Sequence, residues 1–203
     1  YGAGSYTMLD FAIGVDELFA LEEGEDSGNA EIIETSSRIL AASAAYQADL
    51  DDVIDWERFH TTLAVEQWIG HVDGYAMNRN NYRVYYRPSD GRLVLIPWDL
   101  DYAFINDYEW GMSWGQPTGT IAAGCWRDPE CYASQAESMG TLLPTVDTAA
   151  LIEQFDAMED LTHEATADDP KRECTSPSVR AQQANLRSWV EGRSAEMEAL
   201  WGL

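Results

Sequence analysis

A chain of 203 residues with 45% hydrophobic content and eight tryptophans buries one good core, which excludes a disordered segment. Twelve Lys and Arg against 36 Asp and Glu leave a formal charge of −24, with Lys171 the sole lysine. Such a surface repels nucleic acid and anionic lipid and attracts cations, and no apolar run approaches the ~20 residues that span a bilayer.

Residues 1–35 predict a strand from Tyr6 to Phe11, a short helix around Val15 to Leu21, an acidic loop and a brief strand from Ala30 to Glu34. The opening Gly2-Ala3-Gly4-Ser5 is too short for a phosphate-cradling loop and reads as a turn. Ser36 to Asp49 is Ala-rich and reads as a helix. Asp55 is placed to cap the next helix, in which Trp56, Phe59, Leu63 and Val65 to Ile69 form a broad apolar surface; Gly70 stops it. An Asn-rich loop follows, then a strand from Tyr82 to Arg87 dominated by aromatic and β-branched residues. Pro88-Ser89-Asp90-Gly91 supplies a tight turn, and Leu93 to Ile96 is apolar throughout, a strand expected to be buried on both faces. Ile105 to Gln135 is rich in Gly, Trp and Tyr without a clean period and predicts a long irregular connection. Val146-Asp147-Thr148 opens a helix to about Leu161 with Leu151, Ile152, Phe155 and Met158 on its apolar side. An acidic loop through Asp169 follows. Ser178 begins a last helix, in which Val179, Leu186, Trp189, Val190, Met197, Leu200 and Trp201 recur near 3.6 residues. With no internal repeat and no low-complexity linker, the chain is expected to be a single domain. It opens at Tyr1 with neither Met nor signal peptide, so natural sequence is expected upstream.

The chemistry gathers between His71 and Asp101. The hairpin carries an acidic, Asn-rich loop (His71, Asp73, Asn78, Asn80, Asn81) and the pair Asp99 and Asp101 back towards each other. Carboxylates and carboxamides at one end of a hairpin make an oxygen-rich site for a hard cation. Alternate carboxylates repel one another without a cation, so Asp99 and Asp101 imply one; along an extended chain both side chains would share a face. An EF-hand is excluded, because its fifth, sixth and twelfth positions would be Ala103, Phe104 and Trp110. The bland alternatives are an Asx-turn network closing the Asn loop and an Asp that merely caps the turn at Tyr102. Trp98 is expected to be a packing anchor.

Of three cysteines, Cys125 and Cys131 flank a Pro-containing turn that a disulfide can close, whereas His60, His71 and His163 stand in no zinc-like spacing with them. A Cys125–Cys131 disulfide and an oxidising compartment are the expectation, with Cys174 left over.

The runs Asp55-Trp56-Glu57-Arg58-Phe59, Ala64-Val65-Glu66, His71-Val72-Asp73-Gly74-Tyr75, Asn80-Asn81-Tyr82-Arg83-Val84-Tyr85 and Ile96-Pro97-Trp98-Asp99-Leu100-Asp101 resemble the spore-coat protein H (CotH) kinase family, atypical secreted kinases with a protein-kinase-like core; so does the tail Asn185 to Arg193. The resemblance covers roughly residues 5–200 and is sharp over 55–104. It implies an α+β fold: a mostly helical large lobe (36–203) around the central hairpin, with a partial small lobe (1–35). It implies Asp73 as catalytic base and Asp99, Asp101 and Asn81 as ligands of Mg²⁺ or Mn²⁺, or of Ca²⁺, against the phosphates of ATP. Kinase spacing, a base followed five positions later by a metal-binding Asn, points instead to Asn78, and both Asn remain candidates. No lysine stands near this constellation; the phosphate-gripping residue is expected upstream of Tyr1, with Arg38 as a substitute or no ATP binding as the other outcomes. The expected activity is extracytoplasmic transfer of phosphate from ATP to Ser or Thr of a secreted or surface protein, with neither nucleic acid nor membrane insertion involved. The rivals are a catalytically silent surface or coat protein with an acidic cation pocket and a metal-dependent hydrolase.

Overall fold

The computed structural model describes residues 2–3, 10–11, 15–24, 27–104 and 113–203. The chain divides into two compact units, Tyr1–Met139 and Gly140–Leu203. In the first, β1 (Gly2–Ala3) leads to α1 (Val15–Leu18) and β2 (Phe19–Ala20), and the two strands pair antiparallel. Of the strand expected over Tyr6 to Phe11, residues 6–9 lie outside the described residues, and Asp10 and Phe11 are in no strand. The strand expected over Ala30 to Glu34 is instead the start of α2 (Ala30–Ala41), which buries Ile32, Thr35, Ser36 and Ile39. Ile32-Ile33 favours a strand locally, but burial at i, i+3, i+4 and i+7 is helical and decides the matter. The single helix expected over Ser36 to Asp49 is divided: α2 ends at Ala41, and α3 (Tyr46–Asp49) starts after a turn that the Asp49 carboxylate closes on the Ser43 amide at 2.7 Å.

Helix α4 (Trp56–Trp68) begins at Asp55, whose carboxylate accepts the Arg58 amide at 3.2 Å as the sequence predicts. Its buried face is the expected one in Trp56, Phe59, Leu63 and Trp68 and departs from it at Val65. Val65 is 39% exposed, while His60, Glu66 and Gln67 are buried among Trp56, Phe59, Leu63 and Trp68. After α5 (Tyr75–Asn78) come β3 (Tyr82–Tyr86) and β4 (Leu93–Pro97), paired antiparallel with Tyr82 opposite Pro97 and Tyr86 opposite Leu93. The Gly91 amide bonds the Arg87 carbonyl at 2.7 Å with Gly91 at φ +72°, the left-handed geometry that makes glycine the residue of choice there. Arg87 grips Asp90 across this turn, holding its carboxyl down at about 2, and also reaches Asp55 at the head of α4. On its outer edge Leu93 exchanges main-chain bonds with Val53 (2.8 Å) and Asp55 (3.0 Å). The hairpin is thereby fastened to the start of α4. Leu93 to Leu95 are buried as expected; Ile96, at 44% exposure, is not.

Of the stretch expected to be irregular to Gln135, residues 120–127 and 129–135 are helical. Residues 105–112 lie outside the described residues, 113–119 form a loop, and α6 (Thr120–Arg127) and α7 (Pro129–Leu142) follow. Asp10 ties the N-terminal segment to α6 by accepting the Thr120 amide at 3.1 Å. The aromatic core runs Phe19–Phe11–Tyr75–Tyr82, at centroid separations of 5.6, 6.2 and 4.7 Å. Burial raises the phenol pKa of both Tyr75 and Tyr82 well above the ordinary value. On α6, a methyl group at Gly124 would stand 2.3 Å from the Tyr46 ring. Gly124→Ala is therefore expected to destabilise the protein by about 1–3 kcal/mol through overpacking, read as a lowered denaturation midpoint.

The second unit holds α8 (Thr148–Asp168) and α9 (Ser176–Trp201), capped by Asp147 and Thr175. Arg187 pairs with Asp156 and lies over the Phe155 ring at 5.6 Å. Helix α8 outruns its expected end at Leu161 by seven residues and has no buried residue; Met158, from its predicted apolar side, is 64% exposed.

Candidate active site

The geometry of the Asn-rich loop starts from the end of α4. Gly70 takes φ +64°, the His71 amide bonds back to the Glu66 carbonyl at 2.9 Å, and the Gly74 amide bonds the His71 carbonyl at 3.2 Å. These bonds fold residues 70–74 into a tight knot. Its centre is a pair that sequence reasoning passed over: His71 Nδ1 and Glu66 Oε1 lie 2.8 Å apart, and both side chains are buried. A Cβ at Gly74 would meet each of those atoms at 2.7 Å, so only glycine lets the loop close over them. The spacing i, i+5 belongs to neither helix nor strand periodicity, and the loop's fold alone makes the pair.

Asp73 stands at the top of this knot, half-buried. Asn78 donates its amide to Oδ1 at 2.5 Å; Asn81 and Asn80 donate to Oδ2 at 2.8 and 3.3 Å. Both candidate asparagines therefore reach the same carboxylate, one on each oxygen. Donation through the NH₂ groups leaves the amide oxygens as available acceptors. Arg79 and Asn81 hold left-handed backbones, at φ 54° and 50°. Arg79 also stands 4.0 Å from Asp10, which links the loop to the N-terminal segment.

The second acidic segment is fastened to the first at both ends. The Trp98 amide donates to the Asn81 carbonyl at 2.8 Å, and the Phe104 amide donates to the Ile69 carbonyl at 2.5 Å. Between these anchors the chain is not extended as expected: Asp99 is left-handed at φ 50°, and Leu100–Tyr102 form a 3₁₀ turn. Asp99 occupies the position that would cap this turn, yet its side chain makes no capping bond, which removes the bland alternative for that residue. Asp99 and Asp101 are exposed and have no basic partner among the described residues. Four of the five non-glycine residues at positive φ among the described residues (Asn29, Arg79, Asn81, Asp99, Phe104) fall in this site, where backbone strain tends to concentrate. Asp73, Asp99 and Asp101 do not, as a set of three, bring their oxygens within 4.8 Å of one another. Trp98 is 57% exposed rather than an anchor in the core; the Arg83 guanidinium lies 4.6 Å over its ring and pairs with Glu22. Arg38, weighed as a phosphate-gripping residue, is held by Asp52 at 2.7 Å and by the Asp49 carbonyl at 3.2 Å.

The family model described as CotH kinase protein matches residues 15–197, which include Asp73, the three asparagines, Asp99 and Asp101. The chain belongs to the CotH kinase family. Among curated proteins, none matches it. This CotH family member also carries the expected disulfide between Cys125 and Cys131, with Cys174 free and exposed. Among its described residues, no helix is long and apolar enough to cross a membrane.

Proposed function

We propose that this CotH-family chain is an extracytoplasmic, divalent-metal-dependent kinase that transfers phosphate from ATP to Ser or Thr of a secreted or surface protein. One observation carries the reading: Asp73 is held on both oxygens by three asparagine amides, and the same Asn81 is bonded through its main chain to the residue before an uncapped Asp99. Phosphoryl transfer asks for such positioning more than for covalent help. Asp73 orients the acceptor hydroxyl and takes its proton. The donor set suits Mg²⁺ or Mn²⁺, since carboxylate and amide oxygens are hard ligands and the Asp99 and Asp101 carboxylates are unpaired among the described residues; these two, with the amide oxygen of Asn81 or Asn78, would hold the metal. The metal supplies neutralising charge for the nucleotide phosphates. A disulfide supports an oxidising location.

The test is calorimetric titration with ATP and Mg²⁺, compared with Ca²⁺ alone, alongside transfer of labelled phosphate to a generic Ser/Thr protein. Binding of Ca²⁺ without nucleotide or transfer would favour a silent cation-binding surface protein instead, and release of free phosphate without transfer would favour a hydrolase. Asp99→Asn and Asp101→Asn replace a charged oxygen donor by a neutral one. Each is expected to weaken Mg²⁺-dependent nucleotide binding by about ten- to a hundredfold, the order of a lost charged contact.

A further inference from the structure

Away from this site, His60 on α4, Cys125 on α6 and Cys131 on α7 converge in the core of the first unit. A ring nitrogen of His60 and the two sulfurs lie within 4.8 Å of one another, and all three residues are buried. The His60 ring is held in one orientation. Nδ1 lies 2.8 Å from Gln135 Oε1, and the Gln135 amide nitrogen bonds the His60 carbonyl at 3.3 Å and Gln67 Oε1 at 3.5 Å. With its NH₂ group spent on two oxygens, Gln135 presents Oε1 as an acceptor, so Nδ1 carries the proton and Nε2 the lone pair. That lone pair has no partner although the residue is only 5% exposed. Trp56 stacks on the ring at 5.6 Å and completes its clamp. A buried imidazole whose Nδ1–H is tied to an oxygen acceptor, with Nε2 unpartnered and two sulfurs close to the ring, has the arrangement in which histidine ligates a metal.

We propose that, once the Cys125–Cys131 disulfide is reduced, Cys125, Cys131 and His60 form a zinc-binding site, so that this corner of the core alternates between a covalent staple and a metal centre. A dithiol reductant supplies two electrons and two protons; the S–S bond breaks to give two thiols, and the reductant leaves as its own disulfide. Zn²⁺ then displaces both thiol protons to solvent and is held by two thiolates and one imidazole nitrogen. The three donors leave one tetrahedral position open. Two thiolates balance the charge of Zn²⁺, which matters in an interior where an uncompensated charge is expensive. Burial also lowers the His60 pKa, with the Gln135 bond opposing.

The experiment uses the whole chain carrying Cys174→Ser, so that only the two thiols in question remain. It is reduced with a phosphine, desalted without oxygen and titrated with Zn²⁺ against a chelator, with Co²⁺ as the spectroscopic probe. One equivalent of Zn²⁺ is expected on the reduced chain and none on the oxidised chain, with thiolate-to-cobalt charge-transfer absorption in the Co²⁺ form. Removing the imidazole ligand by His60→Gln should weaken binding at least tenfold and change the cobalt d–d bands; Gln135→Leu should weaken it about 10–100-fold through loss of the supporting hydrogen bond. Zinc affinity in the reduced chain equal to that of a Cys125→Ser/Cys131→Ser variant would overturn the proposal. So would affinity and cobalt bands unchanged by His60→Gln, uptake of Cu⁺ but not Zn²⁺, or loss of near-ultraviolet dichroism on reduction that Zn²⁺ does not restore.

Discussion

Asp73→Asn is expected to lower phosphoryl transfer by about 10²–10⁴-fold, the usual contribution of a positioned general base, while nucleotide and metal affinities stay within a few-fold of the parent. The side chain keeps its shape and loses the charge that, in the proposed role, accepts the proton. Both carboxylate oxygens now receive amide donors, so an Asn at 73 would turn its own NH₂ towards Asn78 or towards Asn80 and Asn81. One of these neighbours must rotate its amide to present oxygen instead of nitrogen. Terminal amides rotate readily, which keeps the fold and confines the loss to catalysis. Steady-state transfer kinetics beside calorimetric binding separate the two effects. Loss of nucleotide binding equal to that of Asp99→Asn would make Asp73 another ligand, and unchanged transfer would end its assignment as base.

His71→Ala should remove about 3–5 kcal/mol of stability, because it leaves the Glu66 carboxylate buried without its partner. Glu66→Gln keeps an acceptor for the His71 N–H in the same volume and should cost much less. Urea unfolding of the pair checks this through a shifted midpoint at constant slope; a loss below about 1 kcal/mol in His71→Ala would show that the knot under Asp73 is held by its main chain alone. The two substitutions also part in activity. The loop that carries Asp73 is built on His71, so His71→Ala should depress transfer even where the protein remains folded, whereas Glu66→Gln should leave most of it.

Much of this site was legible in the residues. Asp55 as a cap, Gly70 as a stop and the turn at Pro88 to Gly91 are local features, decided within four residues by caps and positive φ, and they came out as expected. The two strands of the hairpin also lie where the sequence places them, and the turn between them sets the register that the structure shows. The bond between Asn81 and Asp73 has the same local origin, since a short loop closing on the start of β3 has little room to place Asn81 elsewhere. The misreadings fell where local preference and burial disagree. Ile32-Ile33 favours a strand locally, but the helical spacing of the buried positions overrules it; Val65, expected on the apolar surface of α4, faces solvent, while the polar His60 is turned inward.

By itself the sequence determined an acidic α+β chain of the CotH kinase family, the hairpin and the residues at its end, and the Cys125–Cys131 disulfide, because each depends on neighbours close along the chain or on a long ordered motif. The tertiary structure decided what depends on packing between distant segments. It joined Glu66 to His71 beneath Asp73, left Asp99 uncapped between two main-chain anchors, and set His60 beside cysteines 65 and 71 positions further along the chain. The physical reason is that side-chain periodicity records which face of an element is apolar, whereas the partner of a buried polar group is fixed only when separate elements close over it.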